Sequence, residues 1–180
     1  MGGMPRIHPL TDPDPETAEI LAKAGLHDGK PLNIFLTFAH HPRLLKRFLV
    51  LGGFFLGRGL LPERDREIVI LRSAWRSGSE YEFGQHTRIG HLAGLSHTEI
   101  RALAVANHEL EGNDAVLVTV ADEIAADAVL SDATWDALLA FYEPPQALEV
   151  IMLAGFYRML AGVLNTVQIQ LEERTPGWPT

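Results

Sequence analysis

The stretch that most constrains this chain runs from Glu67 to Gly94, EIVILRSAWRSGSEYEFGQHTRIGHLAG. It reads as two apolar helices joined at Ser77-Gly78-Ser79. Such segments must be covered by other parts of the chain, yet ionisable residues are set inside them. A buried charge is costly unless it is paired or hydrogen-bonded. Any fold built on this stretch must therefore give Glu67, Glu82 and His86 partners or a use. Glu82 and His86 stand four residues apart and share one face of a helix. Glu67 opens the preceding helix and can fold back over them. The competing reading is a surface ion pair on an amphipathic helix, of small energetic weight.

The rest of the chain reads as helices separated by clear stops. Asp14-Pro15-Glu16 is a helix start with an N-cap, a proline at the first position and an acid in the first turn, and Gly25 can end that helix. Asn33 to His41 forms a second segment, and Pro42 opens a third, PRLLKRFLVLGGFFLG, interrupted by Gly52 and Gly53. That glycine pair allows close backbone approach, room beside a pocket, or a bend. The fourth helix starts at Pro62-Glu63-Arg64-Asp65 and turns Ile68, Leu71 and Trp75 inward. The fifth spans about 80 to 93. Ser96 to Glu99 is a capping box that opens a sixth helix, to about 107. Asn113 and Ser131 open the seventh and eighth, and Pro144-Pro145 opens a last long helix to about Leu171. No lasting strand alternation and no tight hairpin signal interrupts this series. The fold class is all-α. Residues 1–14 form an extended arm, flexible or laid against a neighbour, 15–171 a single helical domain, and 172–180 a non-helical tail.

Composition narrows the function. The net charge of −8, with no basic patch, argues against nucleic acid as a partner. The chain has no cysteine, which rules out thiolate catalysis, thiolate metal sites and disulfides. No apolar run in the sequence approaches the roughly 20 residues of a membrane span, and no signal-peptide pattern opens the chain. The expectation is a cytoplasmic protein without a membrane partner. His91 and His97 do not complete a metal-binding spacing with Glu82 and His86, so no metal is expected. His40 and His41 precede Pro42 and could reach a pocket or bond locally at the helix end.

The spacing Glu67, eleven residues, Ser79, Glu82, His86 resembles the carboxymuconolactone decarboxylase and AhpD-like superfamily. Its peroxidase branch carries cysteines where Ser79 and Glu82 stand here, with the Glu and His retained. The run through Tyr81-Glu82-Phe83, and the approach through Asn33-Ile34-Phe35 and His41-Pro42, are similar to the decarboxylase-like branch. The resemblance covers roughly residues 30 to 130. It implies an AhpD-like bundle of about eight or nine helices and a homo-oligomer, a trimer or a hexamer, with a dimer as the alternative. Hydroperoxide reduction is not expected, because both cysteines are absent.

What remains is proton-transfer chemistry, which a lyase or isomerase would use, and the resemblance implies a cofactor-free reaction on a small unsaturated carboxylate or lactone. His86 is the expected acid/base. Glu82 would orient or charge it, and Glu67 would relay a proton or hold water. Ser79, Tyr81, His41 and Arg72 are the candidate substrate contacts. Arg76 and Arg88 are further cations near the motif; Arg88 lies two residues past His86, on a different face. Tyr157 is a possible proton donor or pocket wall. The alternative is a non-catalytic helical oligomer that binds a small molecule or serves structure alone.

Overall fold

A computed structural model describes residues 4–179. Among them are nine helices: α1 (Pro15–Leu21), α2 (Asn33–Phe38), α3 (Pro42–Gly57), α4 (Glu63–Arg76), α5 (Glu80–Leu92), α6 (His97–Ala102), α7 (Gly112–Asp127), α8 (Asp132–Leu139) and α9 (Pro144–Val167). The fold is an AhpD-like all-α bundle. Helix α4 is its axis and packs against α5, α7 and α9. Every residue from Arg66 to Ala74 is buried, so α4 is enclosed on all sides rather than only along the Ile68–Leu71 face. A helix in that position must be apolar all round or have its polar groups individually paired. Trp75, expected inward, is only partly buried; the Arg72 guanidinium lies over its ring.

The caps follow the sequence signals. Asp14 accepts from Thr17 N, and Ser96 and Glu99 complete the capping box. Helix α6 stops at Ala102, short of the expected 107, and α9 stops at Val167 because Gln168 turns left-handed at φ 57°. A small antiparallel pair, β1 (Leu26–His27) and β2 (Lys30–Pro31), was not expected. Its signal was present: Asp28-Gly29, with φ 49° and 77°, is the dipeptide that tight hairpins favour. Helix α3 runs unbroken through Gly52 and Gly53, so the pair is not a bend.

The structure adds detail at both ends, where the tail is non-helical as expected, and revises the reading of α9. The described part of the arm lies on its own domain: Arg6 N bonds Val167 O, and Leu10 N bonds Leu36 O. The tail is a strap across α5. Trp178 packs on Phe83 with ring centres 5.2 Å apart, and a Cβ on Gly84 would collide with the Pro176 carbonyl oxygen. Helix α9, 24 residues long, is apolar and long enough by length and composition to cross a membrane. Its inward face is buried against α4 and α7, as in the core helix of a bundle.

Candidate functional site

The second turn of α4 and the first two turns of α5 face each other and bring Glu67 to His86. The Nδ1 of His86 lies 2.6 Å from Glu67 Oε2. The other oxygen, Oε1, accepts from Arg66 Nε at 2.8 Å, and Arg66 also donates to Leu56 O. Glu67 is wholly enclosed. Burial raises its pKa, but His86 and Arg66 outweigh burial and hold the carboxyl below the usual value. It is therefore an anion that fixes the ring and its tautomer, leaving a proton on Nδ1 and Nε2 without a protein partner among the described residues.

The expected pairing of Glu82 with His86 does not form. Glu82 is 2% exposed, and neither carboxylate oxygen has a hydrogen-bond partner among the described residues. Burial alone pushes its pKa well above the ordinary carboxyl value, which favours the neutral carboxylic acid. The i, i+4 spacing places two residues on one helix face; it does not make their polar atoms meet. Sequence distance hid the pair that does form, across 19 positions.

Glu82 and His86 line a cavity of about 320 Å³, within the range of small-molecule sites. Its walls are mainly apolar: Phe35, Phe48 and Leu56 on one side, Phe156, Tyr157 and Leu160 on another. Gly52 and Gly53 also line it, and a Cβ on Gly53 would meet nothing within 4 Å. Tyr157 presents its ring edge-on to His86 at 5.1 Å. Burial first, then Glu67 and Glu82, raise its pKa and keep it a phenol. Tyr81 lines the cavity but its hydroxyl is committed: it donates to Glu172 Oε1 at 2.8 Å and accepts from Ile34 N. Glu172, on the strap, also accepts from Asn33 N and from Gln85 Nε2.

The other candidate contacts lie elsewhere. Arg72 is five residues from Glu67, roughly the opposite side of α4, where it grips Asp122 and the carbonyls of Leu103 and Val105. It does not reach the cavity. His41 stays at the start of α3, its Nδ1 accepting from Leu44 N. His40 bonds the His8 carbonyl. Ser79 is fully buried under the start of α5, its Oγ unpartnered, and is not part of the cavity wall. Lys23, after α1, and Arg88, on α5, do line the cavity. Neither stood out as a contact in the sequence: Lys23 is far from the motif, and Arg88 pointed away on a helical wheel. Among the described residues no group of three His, Asp or Glu side chains is placed to hold a metal ion.

Residues 42–127, from α3 through α7, match the carboxymuconolactone decarboxylase family. Glu67, Ser79, Glu82 and His86, the residues that carried the resemblance, lie within that matched segment. Solved structures share the fold at low identity. The debrominase Bmp8 in its unliganded form superposes with a TM-score of 0.77 at 17% identity, over 93% of this chain and 92% of that one. A cysteine-to-alanine variant of Bmp8 in complex with 2,3,4-tribromopyrrole gives 0.76 at 16%, over 96% and 94%. An uncharacterised peroxidase-related protein with an AhpD core, from Ralstonia eutropha JMP134, gives 0.74 at 18%, over 88% and 84%. No curated protein matches the chain in sequence.

Proposed function

We propose that this chain, with its carboxymuconolactone decarboxylase segment and AhpD-like fold, is a cofactor-free lyase or isomerase. Its substrate would be a small unsaturated carboxylate or lactone. The observation that carries the reading is the juxtaposition of two acids in opposite states beside one apolar cavity. Glu67 is ionised and holds His86. Glu82 is neutral and unpartnered. Environments that drive two carboxyl groups apart in this way supply an acid and a base in one site.

In an isomerisation, His86 Nε2 takes a proton from the carbon next to the unsaturated carbonyl. The electron pair left behind moves into the carbonyl oxygen, which the Glu82 carboxyl stabilises by donating a hydrogen bond. His86 then returns the proton at the far end of the conjugated system. In a decarboxylation the C–CO₂ bond breaks instead, its electrons enter the same conjugated system, and a proton from the site replaces the CO₂. Glu67 stabilises the imidazolium in both cases. Thiol peroxidase chemistry has no nucleophile in this chain. Among the fold neighbours, the Bmp8 variant was solved with a small ring compound, which is consistent with a ligand of that size here.

The test is proton exchange. Unsaturated carboxylates and lactones are incubated with the protein in D₂O and followed by NMR for deuterium uptake, double-bond migration and CO₂ release. Wild type is expected to catalyse one of these, and His86→Ala to lose about 10²- to 10⁴-fold while still binding. A His86→Ala protein as active as wild type would remove the reading. Binding without any turnover would favour the alternative, a binding protein of the same fold.

A further inference from the structure

The cavity has a polarity order. Of the residues that line it, Lys23, Arg88, Glu82 and His86 are the ionisable ones besides the two tyrosines. No ionised carboxylate faces it, although the chain carries a net charge of −8. Lys23 and Arg88 come from separate elements, are exposed, and form no ion pair among the described residues. Cations of this kind keep their heads in water while their stems line apolar walls. The deep end holds the opposite kind of group: a carboxyl, sealed from solvent, with both oxygens empty-handed. A buried polar group without a partner is costly, and no described residue bonds these atoms. Phe48, Phe156 and several leucines supply its apolar wall.

We propose that the cavity binds an amphipathic anion in one direction: its ionised group stays at the mouth between Lys23 and Arg88, its flat apolar body fills the middle, and an uncharged oxygen acceptor reaches the Glu82 carboxyl. This proposal rests on the reading of the cavity as a small-molecule site and deepens it by assigning both ends. It accounts for where the charge goes. Carrying a carboxylate to Glu82 would strip it of water with no cation to meet it. At the mouth it keeps part of its hydration and gains two cations, which also steer it inward. A ligand held this way presents its carbonyl to Glu82 and its adjacent carbon to His86. Lys23 and Arg88 are then specificity residues, and Glu82 the anchor.

The experiment is calorimetric binding of matched probes. 4-Acetylbenzoate carries both the anion and the acceptor. 4-Ethylbenzoate lacks the acceptor, and methyl 4-acetylbenzoate lacks the charge; the 3-substituted isomers vary the reach. Wild type is expected to prefer an acetylbenzoate isomer over both truncated forms by about tenfold or more, a preference for the anion that weakens with salt. Lys23→Gln/Arg88→Gln is expected to lose the preference for the anion and bind the ester unchanged. Glu82→Leu is expected to lose the preference for the acetyl group and keep that for the anion. His86→Ala is expected to keep both preferences, so that a loss of turnover and a loss of recognition are read separately. Equal affinity for all three probes, or an anion preference that survives the double substitution, would overturn the proposal. If every probe binds neither wild type nor variants, the small-molecule reading of the cavity falls with it.

Discussion

Helix α4 carries a buried arginine on one side and a buried glutamate on the other, and their surroundings differ in kind. Arg72 spends its guanidinium completely, on both oxygens of Asp122 and on two carbonyls that end the α6 region. The Glu67 side is spent only in part. Glu67 itself is satisfied, but the histidine it holds has a free nitrogen, and one turn away Glu82 has no partner at all. Full satisfaction is what a structural charge needs in order to survive burial. Partial satisfaction around a cavity leaves capacity for something that comes and goes. The same helix therefore contains a fastening and one flank of the proposed site, and burial alone does not distinguish them.

The largest effect should come from breaking the fastening. Arg72→Leu leaves Asp122 and two carbonyls without their donor, and is expected to lower the unfolding free energy by about 3–5 kcal/mol, measured by urea denaturation. Protein that remains folded should bind cavity ligands as wild type does. A loss of binding at unchanged stability would place Arg72 in the site and collapse the comparison.

Breaking the satisfied half of the site should cost less in stability and more in chemistry. Glu67→Gln keeps the shape but removes the charge, with an expected loss of about 1–3 kcal/mol. Because the folded carboxyl is held below its usual value, its stabilisation is present above the unfolded carboxylate range and disappears as pH falls through the folded value. Wild type and Glu67→Gln should thus converge in stability towards acid. Denaturation curves that stay equally far apart from pH 7 to pH 3 would contradict the ion-pair assignment.

The smallest effect is also the sharpest. In Glu82 the folded carboxyl sits well above its unfolded value, so the sign reverses. The folded state holds the extra proton; the stability it gives is full below the unfolded value and drains as pH rises towards the folded one. Glu82→Gln has no such drain. Its stability relative to wild type should climb with pH above the ordinary carboxyl value, by at most about 1.4 kcal/mol per pH unit. Parallel pH profiles would mean that Glu82 is solvated or paired in solution.

Much of this was legible in the sequence for local reasons. Caps, proline starts and apolar period placed the helices within a few residues, because those signals act over one or two turns. The four-position register of Glu67, Ser79, Glu82 and His86 includes two residues, Glu82 and His86, that line the cavity. What the sequence hid was direction. Five residues on a helix separate Arg72 from Glu67 by more than a right angle, yet in the text they look adjacent. Ser79 and Glu82 occupy neighbouring register positions, but only Glu82 reaches the cavity. Lys23 joins the mouth through a chain path that no local pattern encodes. Asp28-Gly29 could have been read as a hairpin turn; the strands on either side are two residues each, too short to show alternation.

The strap adds a consequence in time. Tyr81, Gln85 and Asn33 take their shared acceptor from Glu172, ninety or more positions downstream of two of them in round terms. A chain synthesised from its amino end has His86 and Glu67 in hand long before the residue that fastens the wall beside them. The cavity is therefore among the last parts of this molecule to be finished during its own synthesis, although Glu82 and His86 lie in the middle of the chain.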